Sequence, residues 1–507
     1  MTADSVRSER PERTSEETDT QDLARGAGVN YLGSVARIAP RAIFLVLAGR
    51  LYGGEGFGEY TFGITVAETA AALALFGMKR SLFRFMSEAV ARGETVHRSI
   101  ANGVALAVTA GAVLTLLVAV TAGPLTGAFG LPGATRPLLV LTLAIPMIVL
   151  SDILLVSIRF TRQMRFEVYA RSLVEPITLM LAIVVVYWAG VRELGLAVAY
   201  VASLFAAVVT TVFFFVRVFP LWECLRVPLR WHEIRSLASF SGPTAGYELF
   251  LMLADKVDIF IVSYFAPAST VGIYGMARQF STVTKKIRGG FDRILPPIFS
   301  ESIAANDLRR ANQQLAMVAR WIMTAELLVV LVFFFFGAAI LGLVDSDFVT
   351  GATVLVLLMV GDAFNGSLGV SELPFVYLRP SANILFGAAM LAIGLVGGVL
   401  LFQVYGLEGV ALAVLLTVIV VNVARITASR WMFGLSVVEA NILKPLTAAV
   451  SALAIVWTLQ SLVSAPPAVG YLLGLPLLLG VFFGMLWLLK LEREDQAQLS
   501  RILTRFR

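Results

Sequence analysis

The stretch "TAGYELFLMLADKVDIFIVSYFAP", residues 244–267, combines a long apolar segment with three charges, and it guides the interpretation of the rest of the chain. It is apolar over about 20 residues, which is enough to cross the ~30 Å hydrocarbon core of a bilayer. Near its centre, however, Asp255, Lys256 and Asp258 introduce three charges. Each ionised group at that depth costs about 3 kcal/mol. We therefore expect each charge to have a partner or a function.

The geometry of a helix separates these three charges. Asp255 and Asp258 are three residues apart and share a face. Lys256 lies about 100° from Asp255 and about 200° from Asp258 around the helix axis. The three side chains therefore cannot neutralise one another along their own helix. We expect their partners on neighbouring helices or in water.

The composition indicates an all-α integral membrane protein. The chain has 507 residues, of which 58% are hydrophobic and 15% are charged, whereas soluble domains carry about 25% charged residues. Long apolar stretches recur along it and predict about 14 transmembrane helices. Most of the 40 Lys and Arg residues fall in segments that are cytoplasmic if the N-terminus is inside. This bias predicts a multi-pass protein of the cell membrane with both termini in the cytoplasm.

An internal repeat predicts how the helices are arranged. In "APRAIFLVLAGRLYGGEGFGEYTFG", residues 39–63, Gly58 and Tyr60 match Gly272 and Tyr274 at a constant offset of 214 residues. Parallel repeats form two lobes around a site near the middle of the membrane. We predict two pseudo-symmetric six-helix lobes, a C-terminal helix pair and a central cavity. The predicted order is a disordered cytoplasmic tail (1–27), an N-terminal lobe (28–217), a cytoplasmic linker (218–238), a C-terminal lobe (239–430), an extra transmembrane helix pair (431–490) and a cytoplasmic amphipathic tail (491–507).

Four basic residues inside the predicted helices are candidates for substrate binding. Arg37 and Arg41 are four residues apart and share a face of the first helix. Lys256 and Arg278 lie in the seventh and eighth helices. Under the repeat, Asp255 falls over Arg41, which places these helices at the seam between the lobes. We expect a water-filled cationic cavity there. Guanidinium groups bind phosphate in a bidentate manner, so the predicted ligand carries phosphate.

Four acidic residues have two open interpretations. Asp255, Asp258, Glu68 and Asp362 lie within predicted spans. They either form structural ion pairs or bind H+ or Na+ that drives transport, and their spacing does not choose between these roles. No metal or other cofactor is expected. The single Cys and the two separated His residues cannot supply a His/Cys metal site.

Residues 239–301 resemble the seventh and eighth helices of the polysaccharide flippases. These are the O-antigen and oligosaccharide (Wzx-type) exporters of the multidrug/oligosaccharidyl-lipid/polysaccharide superfamily. The resemblance rests on a Phe-Ser-x-Pro motif, an Asp, a Val-Gly-x-Tyr-x-x-Ala motif and a Pro, with a further likeness around the first outer turn. The matching positions are Phe240, Ser241, Pro243, Asp258, Val271, Gly272, Tyr274, Ala277 and Pro296, with Arg50, Phe57, Gly58 and Tyr60 near the first turn. Asp255 and Lys256 are not part of this pattern.

The resemblance implies a flippase rather than an enzyme. Its substrate would be a polyprenyl-(pyro)phosphate-linked oligosaccharide, moved from the inner to the outer leaflet by alternating access. The product would serve surface polysaccharide or protein glycan assembly. The implied partners are this lipid-linked oligosaccharide, membrane lipid, and glycosyltransferases or a polymerase of the same pathway. No nucleic acid is expected to bind.

Two other functions remain as alternatives. A cation-coupled multidrug exporter of the same superfamily needs acidic residues in a cavity that is otherwise not basic, and Arg37 and Arg41 argue against it. A membrane glycosyltransferase or polymerase usually has long outer loops that carry acidic, Arg or His residues. The predicted outer loops here are short, such as "SAPPAV" and "VDSDFVT", so an enzyme is the weaker alternative.

Overall fold

The computed structural model describes residues 15–75, 77–228, 230–292, 294–462 and 467–489. Within them, it describes all side chains except those of residues 15–38, 221, 225, 240–247, 440, 460–462 and 467–473. The α-helices are α1 (Ser15–Leu75), α2 (Met78–Ala91), α3 (His97–Ala128), α4 (Thr135–Leu141), α5 (Ala144–Phe160), α6 (Arg165–Glu167), α7 (Glu175–Trp188), α8 (Gly195–Val218), α9 (Leu221–Arg226), α10 (Trp231–Phe265), α11 (Ala268–Gly289), α12 (Leu295–Ala304), α13 (Leu308–Gly342), α14 (Ala352–Leu368), α15 (Glu372–Leu378), α16 (Pro380–Phe433), α17 (Leu443–Leu462) and α18 (Pro467–Leu488).

The longest helices, α1 and α16, are helical hairpins. Gly53 in α1 has φ 66° and Gly406 in α16 has φ 58°, a left-handed conformation that suits glycine. The rings of Phe44 and Tyr60 are 6.5 Å apart, whereas 16 residues of straight helix span about 24 Å. A methyl group at Gly409 would lie 2.0 Å from the carbonyl oxygen of Leu401. The backbone therefore reverses direction at Gly53 in α1 and at Gly406 in α16.

The described helices suit a membrane. Eight helical stretches are long and apolar enough to cross one by length and composition. Two of these, Ala39–Ala91 and Pro380–Phe433, contain the reversals. The predicted seventh and eighth spans correspond to α10 and α11, which are long but too polar to be among the eight. The prediction of an all-α membrane protein is confirmed, and the count of 14 spans stays a prediction.

The two halves of the chain meet along α1 and α11. Helices α3, α4, α5, α7 and α8 pack around α1, and α10, α13, α14 and α16 form the second group with α11. One large hydrophobic cluster contains buried residues from both groups. A second cluster joins α12 and α13 to the final pair, α17 and α18. Any site between the two halves is therefore bordered by α1 and α11.

Two matched glycines make the seam between the halves unusually close. A methyl group at Gly58 would lie 1.7 Å from the carbonyl oxygen of Ala268, and one at Gly272 would lie 2.0 Å from that of Gly54. Shifting the first pair by the 214-residue offset, in opposite directions, gives the second pair. Such reciprocal contacts are what a two-fold axis produces. The repeat seen in the sequence therefore lies on the seam itself, as the two-lobe prediction requires.

Gly58→Ala is expected to destabilise this seam. The added methyl group meets backbone atoms that cannot rotate away, and overpacking of this kind costs typically about 1–3 kcal/mol. We expect a lower unfolding temperature in thermal denaturation. Gly123→Ala, in α3, is the matched control, because its methyl group would contact nothing within 4 Å. Equal unfolding temperatures for the two variants would show that the halves do not depend on this contact.

The chain ends bear on two sequence predictions. Helix α1 begins at Ser15, so residues 15–27, predicted as part of a disordered tail, are helical. Residues 1–14 lie outside the described part of the chain. The amphipathic tail predicted at 491–507 also lies outside it.

Candidate functional site

Arg278 of α11 lies at the centre of an ion-pair network in which Asp258 and Asp362 are also buried and Asp255 is exposed. Arg278 is 8% exposed. Its guanidinium nitrogens lie 3.0 Å from Oδ1 of Asp255 and 3.3 Å from Oδ2 of Asp258, both on α10. A third carboxylate, Asp362 of α14, is 3.7 Å away. The network therefore ties three helices of the C-terminal half together.

Lys285 supplies the second cation of this network. It lies two turns after Arg278 on the same helix. Its Nζ is 2.6 Å from Oδ1 of Asp255 and 3.6 Å from Oδ1 of Asp362. Three carboxylates thus face two cations. Within the buried part of the network, Arg278, Asp258 and Asp362, removing one partner leaves an uncompensated charge, which is strongly destabilising.

Neutral hydrogen-bond donors complete the network around its most buried carboxylate. Asp258 is 1% exposed. Its Oδ2 accepts a hydrogen bond from the Tyr274 hydroxyl at 3.0 Å, and its Oδ1 accepts one from the backbone N–H of Ile259 at 2.8 Å. The Ser281 hydroxyl donates to Asp362 at 3.1 Å. Asp258 thus has the contacts expected of a structural ion pair, and its role in ion coupling stays a prediction.

Lys256 leaves this network and pairs across the seam. Its Nζ is 2.7 Å from Oε2 of Glu68, on the second arm of α1. The Tyr200 hydroxyl donates to the other oxygen of Glu68 at 3.4 Å. Asp255 and Asp258 therefore face α11, whereas Lys256 faces the N-terminal half. The prediction that the three charges find partners on neighbouring helices is confirmed.

A cavity of about 170 Å³ lies between the halves, where α1 and α7 face α11. Its wall includes three basic side chains, Arg41, Arg171 and Lys286, and one carboxylate, Glu175. Apolar side chains form much of the remainder. The other lining residues are Ala42, Leu45, Pro176, Leu179, Gln279, Phe280, Thr282 and Val283.

The basic side chains of this cavity differ in how far their charge is neutralised. Arg41 is exposed and donates to the amide oxygen of Gln279 at 2.7 Å. An amide carries no charge, so this contact holds the guanidinium in place without cancelling its charge. Arg171 lies 3.4 Å from Glu175 and also pairs with Asp152. Of the two arginines, Arg41 is therefore the better placed to attract an anion.

The structure separates the four predicted substrate-binding residues. Arg41 lines the cavity. Lys256 and Arg278 are held in ion pairs in this conformation, and their predicted contact with substrate stays a prediction. Arg37 lies on α1 among the residues whose side chains are outside the described set.

Sequence reasoning missed Arg171 and Gln279 as cavity residues. Arg171 lies on the π-helix Val168–Val174, between α6 and α7. Single π-helical turns are frequent at functional sites. The signal for Arg171 was its position four residues before Glu175, inside an apolar stretch. Gln279 carries no charge and gave no signal.

A metal centre finds no support in the described ranges. They contain no group of three or more His, Cys, Asp or Glu side chains placed to hold a metal ion. The carboxylates of the network face Arg278 and Lys285 instead. What the site offers chemically is a set of fixed charges.

The first half of the chain matches a known family. The family model described as "Polysaccharide biosynthesis protein" matches residues 23–303, which is more than half of the chain. No curated protein matches the chain by sequence.

Solved structures with the same fold are transporters. The lipid II flippase MurJ, in an inward closed conformation, is similar over 90% of this chain and 98% of its own, with a TM-score of 0.72 and 14% identity. An inward-facing multidrug resistance MATE family transporter of the MOP superfamily is similar over 78% of this chain and 93% of its own, with a TM-score of 0.64 and 14% identity. The Vibrio cholerae MATE transporter VcmN, in its bent form, is similar over 86% of this chain and 99% of its own, with a TM-score of 0.54 and 14% identity. At this identity the likeness shows the fold.

Proposed function

Because the chain belongs to the polysaccharide biosynthesis protein family, we propose that it is a lipid-linked oligosaccharide flippase. It moves a polyprenyl-(pyro)phosphate-linked oligosaccharide from the inner to the outer leaflet of the cell membrane by alternating access. The chain acts as a transporter and makes or breaks no covalent bond of its substrate. Glycosyltransferases of the same pathway supply the substrate, and a polymerase or transferase consumes it for surface polysaccharide or protein glycan assembly.

The observation that carries this proposal is the cationic cavity between the halves. Arg41, Arg171 and Lys286 line it together with apolar side chains. Bringing an isolated phosphate toward the middle of a bilayer is costly, and fixed guanidinium and ammonium groups lower that cost. The apolar part of the wall suits the first isoprene units. The rest of the lipid tail stays in the bilayer while the charged head and sugars cross.

Alternating access also requires contacts between the two halves that can open and close, and the seam is the candidate for them. The close approach of Gly58 and Gly272 lies at one end of the seam. Near it, Nε of Arg50 donates to the carbonyl oxygens of Leu343 and Val344 at 2.9 and 3.3 Å, across the two halves. With the N-terminus in the cytoplasm, this end faces outward. The conformation described then has its outer end closed, and substrate enters from the inner leaflet.

A multidrug exporter is the competing function, because the fold is shared with MATE transporters. Such a protein binds organic cations and needs a cavity in which negative charge dominates. Here Glu175 is the one carboxylate among the residues that line the cavity, and it is paired with Arg171. The charge of the cavity therefore favours an anionic substrate.

Reconstitution into vesicles separates these functions. The full-length protein is placed in liposomes that contain a fluorescent polyprenyl-pyrophosphate-linked oligosaccharide, and the fraction of the label that a membrane-impermeant quencher reaches is followed with time. We expect translocation that protein-free liposomes lack. Uptake of ethidium, an organic cation, by the same vesicles without movement of the lipid-linked sugar would identify a drug exporter.

A further inference from the structure

Glu326 is a buried carboxyl group that the ion-pair network does not use. It lies at the middle of α13 and is 0% exposed. Neither of its oxygens has a hydrogen-bond partner among the described residues. An ionised carboxylate without a partner in an apolar environment is far more costly than a neutral one, and such groups neutralise instead. In this conformation the group is therefore expected to carry a proton.

The backbone of α14 is shaped around this carboxyl group. A methyl group at Gly366 would lie 2.2 and 2.3 Å from the two oxygens of Glu326. The carboxyl group thus occupies the space that any other side chain at position 366 would fill. Asp362, one turn earlier on the same helix, belongs to the ion-pair network. Glu326 is therefore packed against a helix that the network holds.

Three charged groups lie close enough to Glu326 to act on it. Arg288, Asp292 and Asp362 act on it electrostatically. Helix α11 also carries Arg278, Lys285 and Lys286, and Arg320 lies on α13 itself, six residues before Glu326. The neighbouring elements α12, α17 and the turn Ser346–Gly351 add Glu301, Lys444 and Asp347, and the described residues of α18 add none. Glu372 lies 3.9 Å from Arg288. Of the three groups that act on Glu326, Arg288 is the one cation.

Arg288 is placed to receive Glu326 if the carboxyl group ionises. Its Nη1 donates to the backbone oxygen of Asn365 at 2.9 Å and lies against Gly369. Asn365 precedes Gly366 on α14 and Gly369 follows the end of that helix, so the two positions flank Gly366 within about one turn. Arg288 belongs to α11, the helix that carries Gly272 at the seam and Arg278 in the network. A new ion pair between Glu326 and Arg288 would therefore act on the seam helix.

We propose that Glu326 is a proton-binding site of the C-terminal half that couples transport to protons. The carboxyl group carries a proton in this conformation, releases it to water when α13 and α14 separate, and then pairs with Arg288. The proposed coupling rests on the flippase function above. The proton site itself is a separate claim and has its own test.

Infrared spectroscopy of the purified full-length protein tests the site without any substrate. A protonated carboxyl group in an apolar environment has a carbonyl-stretch band distinct from that of a carboxylate. We expect this band at neutral pH in the unmodified protein and its loss in Glu326→Gln, which has the shape of the protonated form. Glu301→Gln, an exposed glutamate of α12, is the control and keeps the band. A band of unchanged intensity in Glu326→Gln overturns the proposal.

Vesicles carrying a fluorescent polyprenyl-pyrophosphate-linked disaccharide test the coupling. A gradient of one pH unit is worth about 1.4 kcal/mol per proton, which corresponds to at most about a tenfold change in the transport ratio. We expect such a gradient to change translocation in the unmodified protein and in Glu301→Gln, and to have no effect on Glu326→Gln. A gradient effect that survives in Glu326→Gln overturns the coupling. Absence of translocation in every variant contradicts the flippase function, while the infrared result still decides the proton site.

Discussion

Arg41→Ala will reduce translocation of a lipid-linked oligosaccharide by about 10- to 100-fold. The guanidinium of Arg41 faces the cavity between the halves, and its amide partner, Gln279, leaves its charge uncancelled. A hydrogen bond to a charged group is worth about 1.5–3 kcal/mol, and each 1.4 kcal/mol corresponds to a factor of ten. Initial rates in reconstituted vesicles measure the loss. In cells, surface glycan should fall while protein abundance is unchanged.

The matched control for this change is Arg136→Ala. Arg136 is also an exposed arginine with a side-chain partner, Glu193, at 3.3 Å, but it lies away from the cavity. We expect it to translocate at the unmodified rate. Arg41→Lys should restore part of the activity, because lysine keeps the charge and loses the bidentate geometry. Equal rates for Arg41→Ala and Arg136→Ala would remove Arg41 from the substrate path.

Asp258→Asn will lower the stability of the protein by about 3–5 kcal/mol, the range found when one partner of a buried ion pair is removed. Asp258 is 1% exposed and lies 3.3 Å from the Arg278 guanidinium. Asparagine has nearly the same shape, so the change removes charge rather than packing. Thermal unfolding of the purified protein should show a lower transition temperature and a smaller folded yield.

Two variants show whether this loss comes from the charge. Tyr274→Phe removes one hydrogen bond to the Asp258 carboxylate but keeps its charge, and should cost about 1.5–3 kcal/mol, less than the loss of the charge. Asp347→Asn changes an exposed carboxylate and should cost almost nothing. If Asp258→Asn is as stable as Asp347→Asn and instead changes the pH dependence of transport, Asp258 is a coupling residue rather than a structural one.

The architecture was largely readable from the sequence, because hydropathy and repeats act over long distances. An apolar stretch of about 20 residues can adopt few structures, and a transmembrane helix is the foremost of them. The repeat of Gly58 and Gly272 marked two halves, and these glycines lie against each other's helices at the seam. The sequence also predicted that Asp255 and Asp258 face a different neighbour from Lys256, because helix geometry fixes the angles between them.

The composition of the site was only partly readable. Spacing along one helix does not determine which neighbouring helix each side chain meets. Arg278 was expected in the cavity but lies among three carboxylates, one of which comes from α14, 84 residues farther along the chain. Arg171 reaches the cavity wall from a π-helix that the local sequence does not predict. These positions depend on how helices pack, which is a property of the whole fold.

Cross-linking from the cavity wall shows whether a lipid-linked pyrophosphate enters the cavity between the halves. A photoreactive benzoylphenylalanine at Leu179, which lines the cavity, is compared with one at Phe213, which is 52% exposed on α8. The probe is a radiolabelled polyprenyl-pyrophosphate-linked oligosaccharide. We expect labelling at position 179 that Arg41→Ala suppresses, and only background labelling at position 213. Equal labelling at both positions, or labelling at 179 that Arg41→Ala leaves unchanged, would contradict a phosphate-binding cavity between the halves.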